Sequence, residues 1–146
     1  KEQTLQECCR QAADGLAGGH DVVLEIADRS PQAIAAAVAA GAELGVPADH
    51  VSDAIASRLS DMAVALMEYR PGALILTGGD TAVAVCQALA ASGICIANEV
   101  APGVPWGYLA GGHHDGLPVV TKAGAFGEDD VFVKALPILK AKENRI

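Results

Sequence analysis

The chain has 146 residues, of which 51% are hydrophobic and only 3% aromatic, so it can bury a core built from Ala, Val, Ile and Leu. Its net charge of -8 disfavours nucleic acid and anionic membrane as partners, because both are normally bound by clustered Lys and Arg. No apolar run approaches the ~20 residues that cross a bilayer, and the start does not resemble a signal peptide, so we expect a cytoplasmic protein.

The first part of the chain predicts helices and one strand. A helix is predicted from Glu2 to Leu16, and the apolar run Asp21–Ala27 ("DVVLEIA") has the length and β-branched content of a strand. Ser30 is predicted to cap an alanine-rich helix, and Asp49 to cap another. The residues that recur three or four apart, and so predict one apolar face of that helix, are Val51, Ile55, Leu59, Met62 and Leu66.

The second part alternates strand and helix patterns. The predicted segments are a strand at Ala73–Thr77, a helix at Thr81–Ala91, a strand at Gly93–Asn98, a Gly- and Pro-rich loop at Ala101–Gly116, a strand beginning at Leu117 and a helix at Val131–Lys140 that Pro137 would cut or kink. Together they predict the α/β class: a three-layer domain with a mostly parallel sheet flanked by helices.

The four cysteines are predicted to be reduced thiols that act as small buried apolar residues. Cys8 and Cys9 are adjacent and poorly placed to bridge one another, whereas Cys86 and Cys95 fall in helical and apolar patterns. None shows the spacing of metal ligands, and the chain is not a small secreted scaffold.

The stretch "LTGGDTA" places Gly78, Gly79, Asp80 and Thr81 where a predicted strand gives way to a helix. Glycines there let the backbone approach a ligand, and the first N–H groups of the helix lack internal partners, so the turn could bind phosphate. Thr81 could donate its hydroxyl, and Asp80 could cap the helix or hold Mg²⁺ through water. A plain strand-to-helix turn capped by Asp80 fits the spacing equally well.

A second glycine turn, "TKAGAFG", follows another predicted strand and contains Lys122, one of few basic residues. Two such turns in a parallel sheet would lie on the same edge, where a lysine could neutralise phosphate charge. Neither turn is a G-x-x-x-x-G-K-[ST] or G-x-G-x-x-G motif.

Other side chains suggest weaker alternatives. His113 and His114 could belong to a metal site, although adjacent side chains rarely converge on one metal and a solvated loop is the simpler interpretation. Trp106 and Tyr108 could stack on adenine or pack against the protein.

Three stretches of the sequence, taken in chain order and with their observed spacing, resemble the C-terminal nucleotide-binding domain of the bacterial four-carbon acid sugar kinases. They are "LTGGDTA", "EVAPGVPWG" and "VVTKAGAFG". The resemblance implies phosphorylation of threonate, erythronate or 3-oxo-tetronate with ATP and Mg²⁺. It is most specific from Leu74 to Gly127, and before Pro71 only the pattern of elements agrees. The turn Pro102–Pro105 is characteristic of the family, without an assigned chemical role.

Carried over by position, the resemblance implies two groups of ATP-binding residues. The residues implied to line the phosphates or form the second wall of the site are Gly78, Gly79, Asp80, Thr81, Lys122, Ala123, Gly124 and Gly127. Ala125 departs from one form of the family motif at a position that another form leaves variable.

The resemblance further implies that residues 1–146 are the C-terminal domain of a longer two-domain kinase. The Asp-Asp turn that binds the sugar acid is not found, and Asp129-Asp130 instead suits the start of a helix. We therefore expect no catalytic residue here and no turnover by these residues alone, with the sugar acid bound by the missing domain. The oligomeric state stays open, a homodimer being one option. Two rival functions are a dinucleotide-binding domain of an oxidoreductase and a non-catalytic anion-binding module.

Overall fold

The computed structural model describes residues 2–26, 30–124 and 126–143, and the chain divides into two compact units, Lys1–Tyr69 and Arg70–Ile146. In chain order the helices and strands of the described ranges are α1 (Glu2–Ala17), α2 (Pro31–Glu43), α3 (Val51–Leu66), β1 (Leu74–Thr77), α4 (Gly79–Ala88), β2 (Gly93–Ala101), β3 (Val104–Ala110), β4 (Pro118–Lys122) and α5 (Val131–Glu143). Short 3-10 turns, Ala48–His50 and Met67–Tyr69, flank α3. No helix in these ranges is both long and apolar enough to cross a membrane.

The first unit is helical. Its small core joins α1 to α3 through Ala12, Ala13 and Leu66, with half-buried apolar residues packed around them. The strand predicted at Asp21–Ala27 is wrong over Asp21–Ile26, which form no strand, and Ala27 lies outside the described residues. β-branched side chains favour a strand only where a neighbouring strand supplies backbone partners and packing, and Val23 is 84% exposed here.

The two predicted helix caps have different outcomes. Ser30 caps α2 as predicted, because its Oγ accepts a hydrogen bond of 3.1 Å from the N–H of Ala33 and Pro31 opens the helix. Asp49 is not a cap. It lies inside the 3-10 turn before α3, whose N-cap is His50 without a side-chain hydrogen bond.

Replacing Ser30 with alanine is expected to destabilise α2 by about 1 kcal/mol, the usual cost of losing a side-chain cap. No residue of α2 is buried, so little packing compensates for the lost hydrogen bond. Amide hydrogen exchange along α2 measures the effect, and Ser30→Asp, which keeps an acceptor at the cap, is the control. Equal exchange in Ser30→Ala and the unchanged protein would contradict the prediction.

The second unit contains a four-stranded sheet in the order β1-β4-β3-β2. The predicted α/β class is confirmed, but the mostly parallel sheet is wrong: β1 and β4 are parallel, whereas β4–β3 and β3–β2 are antiparallel. The reason is connection length. Only Pro102 and Gly103 separate β2 from β3, and a parallel pair needs a crossover of a dozen or more residues.

The largest correction is β3, which lies inside the predicted loop Ala101–Gly116. Gly107 and Pro105, which predicted a loop, are compatible with the pairing of β3 with β2. A Cβ on Gly107 would overlap the backbone carbonyl of Cys95, so only glycine allows this close approach. Pro105 lies beside a register shift of the β2–β3 pair, where the ladder is already irregular.

One face of this sheet packs against α5. The buried residues of that core are Val104, Trp106, Val120, Val131, Ala135 and Leu139. The helix continues through Pro137, so of the two predicted effects, a cut or a kink, the cut does not occur. Pro137 is exposed, and water can hydrogen-bond the backbone carbonyl that proline leaves without its helical N–H partner.

All four cysteines are free thiols, as predicted, but none of them is buried, so the prediction of buried apolar residues is wrong. Cys8 and Cys95 are exposed, and Cys9 and Cys86 are intermediate. Partial burial raises the pKa of the Cys86 thiol, which lowers its thiolate fraction and its reactivity at neutral pH.

Candidate functional site

The parallel pair of β1 and β4 places the two glycine turns side by side. Thr77 at the end of β1 lies opposite Lys122 at the end of β4. Directly beyond them, the N–H of Gly78 donates a 2.9 Å hydrogen bond to the backbone carbonyl of Lys122. The predicted juxtaposition of the turns is therefore present, although it depends on one parallel pair rather than on a parallel sheet.

The first turn, here called the glycine turn (Gly78–Thr81), places the N-terminus of α4 beside the end of β4. Gly78 has φ +89°, a conformation that glycine adopts without strain, and α4 begins at the next residue. As an N-cap, Gly78 has no side chain that could accept from the first N–H groups of α4. Asp80 is exposed in the first turn of the helix, and Thr81 is half-buried.

The second turn, here called the lysine turn, comprises Lys122, Ala123, Gly124, Phe126 and Gly127, with Ala125 outside the described residues. The N–H of Phe126 donates to the carbonyl of Ala123 at 3.1 Å. The Lys122 ammonium folds over its own turn, with Nζ 3.1 Å from the carbonyl oxygen of Gly124 and 3.4 Å from that of Ala123. A phosphate at this edge would compete with two neutral carbonyls for Lys122, and a charged acceptor makes the stronger hydrogen bond.

Two of the predicted site glycines border open space. A Cβ built on Gly79 or on Gly124 meets no described heavy atom within 4 Å apart from its immediate neighbours. Gly127 is different, because a Cβ there would lie 3.1 Å from Val131 Cγ2 and 3.2 Å from Val104 Cγ2. The first two glycines leave room for a ligand against the backbone, whereas the third is required by packing.

The characteristic turn Pro102–Pro105 is the tip of the β2–β3 hairpin and the start of β3. Gly103 has φ +74°, and a Cβ there would lie 2.6 Å from Cδ1 of Phe126. The hairpin tip therefore contacts the lysine turn, a relation that residue spacing did not reveal. Sequence reasoning also passed over Phe126, although it lies inside the quoted motif.

Acidic residues beside the lysine turn are partly neutralised. Lys134 Nζ lies 2.7 Å from Glu128 Oε2 and 2.9 Å from Asp130 Oδ1. These hydrogen bonds raise the pKa of Lys134, so it stays charged at neutral pH. The ion pairs offset some of the negative charge that would otherwise repel an anion here.

Two alternatives from the sequence were adenine stacking by Trp106 and Tyr108 and a metal site at His113 and His114, and the structure shows where these side chains lie. Trp106 is 8% exposed in the core beneath α5, and its ring meets Tyr108 edge-on with centroids 5.7 Å apart. His113 and His114 lie in the turn between β3 and β4, where Asp115 Oδ1 accepts from the N–H of Gly111 at 2.6 Å. Within residues 2–26, 30–124 and 126–143, no three His, Cys, Asp or Glu side chains form a group that could hold a metal.

Comparison with known proteins identifies relatives over nearly the whole chain. Residues 1–132 match the family described as the nucleotide-binding C-terminal domain. A D-threonate kinase of Bordetella bronchiseptica is 47% identical over 92 residues, which are 62% of this chain and 23% of that enzyme. A D-erythronate kinase of Heliobacterium modesticaldum is 39% identical over 95 residues, covering 60% of this chain and 22% of the enzyme. The chain thus spans less than a quarter of these curated relatives.

Solved structures show the same fold. A Bordetella bronchiseptica domain of unknown function, a domain-swapped dimer with bound citrate, is 36% identical with a TM-score of 0.60 over 95% of this chain and 37% of that one. A Haemophilus influenzae protein has a TM-score of 0.68 at 24% identity, over 92% of this chain and 33% of that one. The relatives confirm the resemblance to the C-terminal domain of the four-carbon acid sugar kinases.

Proposed function

The chain belongs to the nucleotide-binding C-terminal domain family of sugar-acid kinases, and from this premise we propose that it binds ATP for transfer of the γ-phosphate to a hydroxyl of a four-carbon acid sugar. Threonate, erythronate and 3-oxo-tetronate are the candidate acceptors. The observation that carries the proposal is the pair of glycine turns at one sheet edge, each with open space beside its backbone.

Each residue of this edge has a proposed task. The N–H groups at the start of α4 bind phosphate oxygens together with the Thr81 hydroxyl, and the Lys122 ammonium neutralises charge on the transferring group. Gly78, Gly79, Ala123 and Gly124 bring backbone close to the nucleotide, and Gly127 shapes the turn. Such transfer depends on positioning and electrostatics, which are what backbone amides and one lysine supply.

Mg²⁺ fits the donor set at the glycine turn. It prefers oxygen ligands, and the exposed Asp80 carboxylate and the Thr81 hydroxyl offer them at the start of α4. When bound, the ion neutralises charge on the phosphate oxygens. Asp80 would hold it, either directly or through a water molecule.

We further propose that residues 1–146 are one domain of a longer, cytoplasmic, two-domain enzyme. The sugar acid and the base that deprotonates its hydroxyl then belong to the other domain, and this chain alone binds nucleotide without turnover. The domain-swapped dimer of the Bordetella protein supports a homodimer for the longer protein.

Lys122→Ala is expected to weaken binding of ADP–Mg²⁺ by about tenfold, since a lost charge-assisted hydrogen bond costs ~1.5 kcal/mol or more. Isothermal titration calorimetry of the 146-residue chain measures the change. Lys140→Ala is the matched control, because it removes the same charge from an exposed position on α5.

The same titration discriminates the rival functions. A non-catalytic anion-binding module predicts no nucleotide binding and no effect of Lys122→Ala. An oxidoreductase domain predicts that NADH or a flavin binds more tightly than ADP. Either result with the folded chain would contradict the kinase proposal.

A further inference from the structure

We propose that Phe126 is a positioning residue: its ring, seated on Gly103 at the tip of the β2–β3 hairpin, holds the lysine turn in its nucleotide-binding conformation. A Cβ at Gly103 would lie 2.6 Å from Cδ1 and 3.1 Å from both Cγ and Cε1 of Phe126. Real carbon atoms do not approach so closely, so the ring occupies the space that a side chain at position 103 would need. The consequence for nucleotide binding rests on the proposed function.

A second contact strengthens the attachment of the lysine turn to the same hairpin. The space beside Gly127 is closed by Val104, the first residue of β3, and by Val131, the first of α5. Val104 is fully buried, so this end of the turn meets a fixed part of the core. Phe126 and Gly127 thus meet two consecutive hairpin residues, Gly103 and Val104.

The lysine turn needs such support because its own interactions are few. Ala123, Gly124, Phe126 and Gly127 are all exposed. The hydrogen bond from the Phe126 N–H to Ala123 and the bonds from Lys122 Nζ close the turn locally. Ordering exposed glycines costs conformational entropy, so an additional contact shifts the turn toward one conformation.

This role explains why a large aromatic ring lies at the surface beside a Pro-Gly turn. Phe126 is 52% exposed, so it contributes little to the core beneath α5, of which it is not a member. Its contact with Gly103 instead couples the hairpin to the turn that carries Lys122. If loss of the ring leaves the turn competent for only about a tenth of the time, the apparent Kd rises about tenfold.

The first test compares two phenylalanines in the 146-residue chain. Phe126→Ala is expected to raise the Kd for ADP–Mg²⁺ about tenfold in calorimetry, and Phe126→Leu, which keeps apolar bulk, only about twofold. The other phenylalanine, Phe132, is 42% exposed on α5 and supplies the matched control, so Phe132→Ala should leave Kd unchanged. Unchanged binding in Phe126→Ala would overturn the inference, and so would an equal loss in Phe132→Ala.

A double-mutant cycle tests the contact itself. Gly103→Ala should displace the ring and weaken binding, whereas the same change in a Phe126→Ala background should cost less, because only the backbone strain of a positive φ remains. Additive effects of the two substitutions would overturn the proposed contact.

Amide hydrogen exchange without nucleotide separates this inference from the proposed function. The amide of residue 126, bonded to Ala123, is expected to exchange about tenfold faster in Phe126→Ala than in the unchanged chain, as the turn opens more often. If the unchanged chain binds no nucleotide, the proposed function fails, and the exchange rates still decide the positioning role. Equal exchange rates in the two proteins would overturn it.

Discussion

Gly79→Val is expected to weaken ADP–Mg²⁺ binding by about a hundredfold, equivalent to ~2.7 kcal/mol, while the protein stays folded. A Cβ at Gly79 meets no described heavy atom within 4 Å beyond its chain neighbours and the backbone of its own helix, so no tight packing opposes a side chain there. It would instead fill the space beside the first turn of α4, through which a phosphate must approach the helix N–H groups. Calorimetry measures the affinity, and the thermal midpoint measures the fold.

Gly93→Val is the matched control for this substitution. Gly93 also borders open space and has no positive φ. It begins β2, whereas the glycine turn follows β1, and these two strands lie on opposite edges of the sheet. Gly93→Val should leave the affinity for ADP–Mg²⁺ unchanged. If Gly79→Val bound ADP like the unchanged chain, the glycine turn would not be the phosphate site.

Trp106→Ala is expected to lower the free energy of unfolding of the second unit by about 3 to 5 kcal/mol. The ring fills the core between β3 and α5 and adds an edge-to-face contact with Tyr108. A loss of that size is a large fraction of the stability of most domains. Urea unfolding followed by circular dichroism measures it without depending on fluorescence of the deleted tryptophan, the only one in the chain.

Two comparisons separate packing from ligand stacking at this position. Trp106→Phe should retain much of the stability, because a smaller ring still fills part of the same space. An exposed aromatic of the same unit, tested as Phe132→Ala, should change stability little. If Trp106→Ala instead kept full stability and lost ADP affinity, the adenine-stacking alternative would replace the packing interpretation.

Most of the secondary structure followed from local signals. The glycines after α1, the Ser30-Pro31 pair before α2 and the short apolar runs of β1, β2 and β4 act within a few residues, so they are visible in the sequence. The failures were non-local. Asp21–Ile26 has the composition of a strand without a strand partner, and β3 has the composition of a loop because Gly107 serves a neighbouring strand.

The candidate site was predictable for a related reason. A strand that ends in glycines before a helix points to the ligand-binding edge of an α/β sheet, and this pattern occurs twice. The expectation of a mostly parallel sheet was wrong, but the one parallel pair, β1 with β4, joins the two strands that carry the turns. The two turns therefore lie side by side as predicted, although the predicted sheet topology was wrong.

The sequence by itself determined the helices, three of the four strands, the α/β class and the two turns, since each depends on side chains close together in the chain. Only the tertiary structure decided that Pro102-Gly103 is a hairpin tip, that Trp106 is a core residue and that Phe126 lies on Gly103. The hairpin depends on the pairing of β2 with β3, and the other two features depend on contacts between residues more than ten positions apart. Such contacts leave no periodic pattern, because the space one residue needs is set by an element elsewhere in the chain.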